Sequence, residues 1–365
     1  SLSNRKPIFC AFVSASLFSK CFIVLLSICF SYASAVEWRA FYLSLSGNFV
    51  EMKQKNAPMM NFFRRLVMFS CDAAACCGFL VSNSREICYH PAAMTQLPIP
   101  IPDPITSAAN AEVKFLRSLH ERKYRKKSGW FLAEGTRICR EAVALGWDLH
   151  RLAFLAGRES DAVMAPILAG LAASGGRALP VTEALLQRIS RKDNPQILLG
   201  AFAQRWHDLQ SVTLQTDKVW VALDRVRDPG NLGTVMRTAD AVGAAGIILV
   251  GDCTDPFSVE AVRASMGAVF NVQIVACSEA EFMAFGAIWP GRIIGTALPA
   301  AVDFRSADYD GPLVMLMGNE QSGLSRPLIE LCHQLIKIPM LGRSDSLNLA
   351  VATGVALYTA LDKRR

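Results

Sequence analysis

From Val219 onward, short apolar runs recur roughly every 20–25 residues with helix-period segments between them, and this pattern constrains the fold more than any other feature of the chain. Val219–Leu223, Gly246–Val250, Val272–Ala276, Arg292–Thr296, Leu313–Met317 and Leu335–Ile338 read as strands. Thr234–Val242, Val259–Ser265, Glu279–Phe285, Leu324–Leu331 and Leu347–Leu361 read as the helices between and after them. Strands of this kind, alternating with helices, predict a parallel α/β sheet covered on both faces.

Open parallel sheets bind ligands beyond the carboxyl ends of their strands. Three strings rich in glycine or polar residues fall at such ends: Asp228–Gly233, Gly318–Leu324, and Ile338-Pro339-Met340 followed by Ser346-Leu347-Asn348. Any one of them reads equally well as an ordinary strand-to-helix turn. Three at the ends of one sheet point to a ligand that the backbone approaches closely. The dinucleotide fingerprint is missing, because Gly230-x-x-Gly233 is too short for it, and no phosphate-binding loop with a Gly-Lys-Ser/Thr ending occurs. The histidines are scattered and no cysteine pair has metal spacing, so no metal is expected.

A second pattern precedes the first. Ala108–His120 reads as a helix with Val113, Leu116 and Leu119 on one side. Strands follow at Trp130–Ala133, Leu149–Leu155 and Gln196–Phe202, with helices at Thr136–Leu145 and Asp161–Ala173. This predicts a small α/β domain over about 105–205, joined by a linker at 206–217 to a domain at 218–365. Between its first helix and first strand lies a basic cluster, Arg122, Lys123, Arg125, Lys126 and Lys127, with Tyr124 inside it. Such a cluster neutralises phosphates, and a tyrosine within it can stack on a base. A solvated charged loop is the plainer reading of the same run.

Charge separates the two regions. The whole chain carries a formal +7, yet residues 218–365 hold more acidic than basic residues. A polyanion footprint within 94–365 therefore belongs to the middle region. Seven of the eleven cysteines lie in residues 1–93, and the remaining four, Cys139, Cys253, Cys277 and Cys332, read as buried and inert thiols of a reduced protein.

The first residues carry the parts of a signal peptide: Arg5, Lys6 and Lys20, the apolar run Cys21–Phe30, then Ala33-Ser34-Ala35. Export or anchoring, organellar targeting and a non-native extension upstream of a start at Met94 are the three readings; the last is preferred. Residues 36–93 show no sustained period of 2 or 3.6, and residues 1–93 are assigned no domain. Residues 94–104, rich in proline, are expected to form an extended linker or arm.

Read together, the strings identify a family. Leu223–Ala244 (LDRVRDPGNLGTVMRTADAVGA), Gly318–Ser325 (GNEQSGLS) and Ile338–Ala352 (IPMLGRSDSLNLAVA) resemble, in order and spacing, the three motifs of the SpoU/TrmH branch of the SPOUT methyltransferases. Asn110–Arg125 followed by Phe131–Gly135 resembles the substrate-binding domain of SpoU-type enzymes, which is similar to ribosomal proteins that grip RNA. The resemblance implies transfer of a methyl group from S-adenosylmethionine to a ribose 2′-hydroxyl of RNA, with ribosomal RNA preferred and transfer RNA possible. It implies a trefoil-knotted C-terminal domain, with the stretch after Met340 tucked through a loop.

Residue by residue, the cofactor is expected among Thr296–Leu298, Gly318–Glu320 and Ile338–Asn348. Thr296, Leu298, Gly318, Asn319, Ile338, Met340 and Leu347 are the expected contacts. Arg237 matches the family's catalytic arginine. Asn231 is expected to orient the loop or the ribose, and Glu320, Ser346 and Asn348 to hold Arg237 or the hydroxyl. A homodimer is implied, with Arg237 reaching the partner's cofactor. A ribosome-modifying enzyme has neither substrate nor cofactor outside the cell, so a cytoplasmic location without membrane attachment is expected. The competing reading is a homologue that binds RNA and has lost its chemistry; it predicts RNA binding without cofactor binding.

Overall fold

A computed structural model describes residues 99–212, 214, 218–297, 301–343 and 345–364. The readings made for residues 1–93, and the start of the proline-rich arm, lie outside these. Two sheets carry the architecture.

The first sheet holds β1 (Trp130–Glu134), β2 (Leu149–Leu155), β3 (Arg177–Val181) and β4 (Leu198–Ala203), in the order β1-β4-β2-β3. β4 runs antiparallel to both β1 and β2, and β2 pairs with β3 in parallel. Its helices are α1 (Ala111–Ser118), α2 (Arg122–Ser128), α3 (Thr136–Ala144), α4 (Ala165–Ala173) and α5 (Glu183–Ser190). β3 and α5 escape the sequence reading. β3 contains Pro180, which breaks a strand signature but is tolerated on an edge, where no neighbour needs its missing N–H. The helix expected from Asp161 begins at Ala165, because residues 161–164 form a turn in which Met164 N donates to Asp161 O. The basic cluster forms a helix, α2, closed by Gly129 at φ 75°.

The second sheet contains β5 (Val219–Asp224), β6 (Gly246–Val250), β7 (Gln273–Cys277), β8 (Arg292–Thr296), β9 (Val302–Asp303), β10 (Leu313–Met317) and β11 (Gln334–Lys337). Their order is β7-β6-β5-β10-β8-β11-β9, and every pairing is parallel. β5, β6 and β10 are buried along their whole length, as their unbroken apolar runs require. Only the two-residue β9 lacks a sequence signal. The helices are α6 (Pro229–Ala241), α7 (Val259–Ser265), α8 (Glu279–Ile288), α9 (Arg326–Leu331) and α10 (Leu349–Lys363).

α6 starts five residues earlier than the sequence pattern indicates. Asp228 caps it, its carboxylate accepting from Asn231 N at 2.6 Å, and Pro229 occupies the first turn, where a missing N–H costs nothing. The string read as a turn is thus mostly helix. Its Gly233 lets α7 approach: a Cβ there would stand 2.5 Å from Ala261 O and from Ala264 Cβ. The chain leaves β11 two strands out from β10, then returns so that α10 packs on α6 and β10. The implied knot depends on this return.

The two sheets share one core. Phe131 of β1 lies 4.8 Å from Phe257 and 5.7 Å from Phe270, ring centre to ring centre. Trp147 meets Phe270 edge-on at 4.9 Å and donates its indole N–H to Phe270 O at 3.0 Å. Aromatic pairs of this kind contribute about 0.5–1.5 kcal/mol each beyond their buried area. The stretch expected as a linker is packed as well: His207 bridges alongside Val275 of β7, and Val212 is buried. In the proline-rich arm, Ile99 and Ile101 rest against the core, and just beyond it Ile105 N donates to Pro180 O. Among the described residues, no helix is long and apolar enough to cross a membrane.

Candidate active site

The three strings meet at the carboxyl edge of the second sheet, and side-chain hydrogen bonds tie them together. Asn348 caps α10: its Oδ1 accepts from Ala350 N at 2.9 Å and Val351 N at 3.3 Å. Those backbone donors fix which end of the amide is oxygen, so Nδ2 must face outward. It donates to Asn231 Oδ1 at 2.9 Å. Asn231 Nδ2 in turn donates to Glu320 Oε1 at 3.2 Å. One directed relay therefore runs from the start of α10, through the first turn of α6, to the loop after β10. It unites three of the expected site residues.

A buried brace lies beneath the relay. Asp224, at the end of β5, is 1% exposed. It takes two hydrogen bonds from Arg225, at 2.8 and 2.9 Å, and one from Ser325 N at 3.3 Å. Arg225 sits at φ 47°, a strained region for a residue with a Cβ. Its carboxylate partner holds the guanidinium above its ordinary range, through the hydrogen bond first and the charge second. The Arg225 carbonyl accepts from Asn319 Nδ2 at 2.7 Å. Sequence reasoning passes over this pair. The available signal is an acidic residue closing an otherwise apolar buried strand, which must be paired to be tolerated.

Asn319 requires a correction. It is expected at the cofactor, yet its side chain is consumed by its own loop: beyond the bond to Arg225, its Oδ1 accepts from Gln321 N, Ser322 N and Ser322 Oγ. Its backbone N–H and carbonyl both pair with Gly323. Asn319 shapes the loop and has little left for a ligand. Gly318 N donates to Thr296 Oγ1 at 3.3 Å, joining the loops after β8 and β10. A Cβ on Gly318 would stand 2.7 Å from Leu324 N and 2.8 Å from Gly323 C. Gly318→Ala is therefore expected to displace this loop at an overpacking cost of about 1–3 kcal/mol. Titration calorimetry would show S-adenosylmethionine affinity falling roughly tenfold to hundredfold.

The third loop provides apolar walls. Ile338 and Met340 are half-buried, Leu347 is 39% exposed and Leu341 fully exposed. The backbone of residues 339–343 makes no hydrogen bond among the described residues. Unpacked apolar side chains beside unspent backbone donors and acceptors suit a flat, neutral, hydrogen-bonding group such as adenine. The residues present thus fit S-adenosylmethionine. Leu298 lies outside the described residues.

Ser346 stays outside the relay: among the described residues its Oγ bonds only its neighbour, donating to Asp345 Oδ1 at 3.2 Å. One further expectation is corrected. Arg237 is not held by Glu320, Ser346 or Asn348; it is exposed and makes no ion pair or hydrogen bond among the described residues. Helix geometry gives the reason. Six residues beyond Asn231, Arg237 is displaced about 9 Å along α6 and about 240° around it.

On α2, Arg122, Lys123, Lys126 and Lys127 are exposed, as is Tyr124, with Lys123 Nζ 5.8 Å from the tyrosine ring centre. Arg125 is the exception. It is 3% exposed, pairs with Asp255 through Nε and Nη2 at 2.8 and 2.7 Å, and donates through Nη1 to Leu119 O and His120 O. Every donor direction of its fork points inward, so it is no phosphate contact. The four cysteines outside residues 1–93 are held as thiols by burial, which pushes Cys253 up to about 11 and Cys139, Cys277 and Cys332 up to about 12.

A parallel sheet with three interlocked loops at its carboxyl edge, preceded by a basic α/β domain, defines an RNA methyltransferase of the SPOUT class. The family comparisons agree. Residues 218–358 match the SpoU rRNA Methylase family and residues 110–200 the MRM3-like substrate binding domain. An uncharacterized tRNA/rRNA methyltransferase of Synechocystis sp. is 34% identical over 272 residues, covering 70% of this chain and 92% of the relative. A 23S rRNA uridine 2′-O-methyltransferase of Streptomyces viridochromogenes is 31% identical, covering 67% and 87%. Among solved structures, the AdoMet-bound rRNA methyltransferase of Sinorhizobium meliloti superposes with a TM-score of 0.67 at 44% identity, covering 71% of this chain and 97% of that one. The chain belongs to the SpoU methylase family.

Proposed function

We propose that this chain transfers a methyl group from S-adenosylmethionine to a ribose 2′-hydroxyl of ribosomal RNA. The relay from Asn348 through Asn231 to Glu320, set on the same helix as an unpartnered Arg237, carries the reading. When bound, S-adenosylmethionine would supply an electrophilic methyl for the ribose oxygen. The protein must then align that oxygen and help its proton leave. Glu320 Oε2, which makes no hydrogen bond among the described residues, takes a hydrogen bond from the hydroxyl in this reading while Oε1 is held by Asn231. Arg237 does not act as a base, because a guanidinium stays protonated in proteins. It binds the neighbouring phosphate and stabilises the developing alkoxide. Thr296, Gly318, Ile338, Met340 and Leu347 line the cofactor, and Arg122, Lys123, Lys126 and Lys127 grip RNA phosphates.

A homodimer is part of the proposal. α10 leaves Val351 and Tyr358 more than half exposed, beside the face of α6 that bears Thr234 and Arg237. An apolar helical face of this kind is suited to a second copy, and Arg237 would then act on RNA bound beside the partner's cofactor. A cytoplasmic location follows from the substrate.

The test is incubation of the protein with labelled S-adenosylmethionine and separated ribosomal and transfer RNA. Label in ribosomal RNA supports the proposal; label in transfer RNA alone moves the substrate, and RNA binding with no cofactor binding identifies a homologue without chemistry. Mixing Arg237→Ala with Gly318→Ala protomers tests the shared site. At a cofactor concentration too low for Gly318→Ala to work alone, activity recovered in the mixture above that of either variant is the expected result.

A further inference from the structure

One arrangement of charge has no part in the relay. Arg227 Nη1 lies 2.8 Å from Asp252 Oδ2, and Arg122 Nη1 lies 3.8 Å from Asp252 Oδ1. Two arginines, one from α2 and one from the loop between β5 and α6, thus take one oxygen each of a single carboxylate. Both arginine side chains are 62% exposed and the aspartate is 69% exposed. Ion pairs so open to solvent contribute only about 0–1 kcal/mol to folding, so stability does not account for them.

Their position is informative. Asp252 follows Gly251, which turns the chain at φ 72° beyond the carboxyl end of β6. Arg227 stands next to the cap Asp228 and four residues before Asn231. Arg122 begins α2, whose Lys123, Lys126 and Lys127 are exposed beyond it. A line of cations therefore runs from α2 across Asp252 to the edge of the relay. A guanidinium fork that accepts a carboxylate accepts a phosphate by the same geometry.

We infer that Arg122 and Arg227 form a clamp for one backbone phosphate of the RNA, and that Asp252 occupies the phosphate's place until RNA arrives. This rests on the RNA methyltransferase reading above. Asp252 keeps the two forks oriented in the free protein, and its negative charge must be displaced or outcompeted by the incoming strand. Polyanions that engage only Lys123, Lys126 and Lys127 of α2 gain nothing from the clamp, whereas a strand that continues to Asn231 does.

The clamp predicts effects of opposite sign for two partners in one ion pair. Binding of an in vitro transcript of large-subunit ribosomal RNA to the full chain would be measured across a salt series. Arg227→Ala should weaken binding about tenfold, the worth of one charge-assisted contact. It should also make the salt slope shallower by about one. Asp252→Asn should tighten binding several-fold, and S-adenosylmethionine affinity and Tm should hold steady in both. If both substitutions weaken binding alike, or neither alters the salt slope, the three residues are a surface brace and the inference falls. If the wild-type chain neither binds nor methylates RNA, the functional reading falls first and carries the clamp with it.

Discussion

Arg237→Ala is expected to lower kcat for methyl transfer by about two to three orders of magnitude, the usual cost of removing a donor that stabilises a developing oxyanion. S-adenosylmethionine affinity and Tm should remain at wild-type values. The separation follows from the geometry. Arg237 is exposed on α6 with no partner among the described residues, so its truncation orphans nothing and opens no cavity. Arg237→Lys keeps the charge but loses the planar fork, and should recover only a small part of the rate. Single-turnover kinetics with saturating cofactor, alongside calorimetric binding, measure both quantities. A fall in cofactor affinity that matched the fall in rate would place Arg237 in the cofactor site instead.

Arg125→Ala should produce the largest loss of stability of any single change in the basic cluster. It strands Asp255, 11% exposed, without its counter-charge and leaves Leu119 O and His120 O without their donor. Breaking a buried pair from one side costs about 3–5 kcal/mol. For a protein of this size that corresponds to a Tm lowered by roughly 10 °C. Lys123→Ala or Lys126→Ala, on the exposed side of the same helix, should leave Tm within about 1 °C and weaken RNA binding instead. Scanning calorimetry and a salt series on the three variants separate the two roles. Equal Tm for all three would show that Arg125 is not the buried brace described.

These neighbouring residues show what sequence can and cannot convey. Arg125 and Lys126 look alike in a run of charges; only Asp255, 130 residues further on, distinguishes them. The central strands were legible because burial on both faces demands unbroken apolar runs, as in Leu313–Met317. β3 was not, since Pro180 conceals it, and the start of α6 was hidden because Pro229 and Gly230 signal a turn while serving as a first helical turn. At the site, Asn231, Glu320 and Asn348 belong to the three family-like motifs and are brought together by hydrogen bonds. Their connection to one another rather than to Arg237 depends on helical phase, which a motif does not record. Asn319 turns on a related choice: an amide in a glycine-rich loop serves a ligand or its own loop, and contacts such as the one to Arg225 O tie its side chain to the loop.

The most direct test of the account is the chemical position of the transferred methyl group. Ribosomal RNA labelled by the enzyme would be digested with alkali, which cleaves through the 2′-oxygen and so spares any linkage whose 2′-oxygen is methylated. Label in one alkali-resistant dinucleotide is expected for the wild type and none for Arg237→Ala. Label released in alkali-sensitive mononucleotides, as methylation on a base would give, would contradict it.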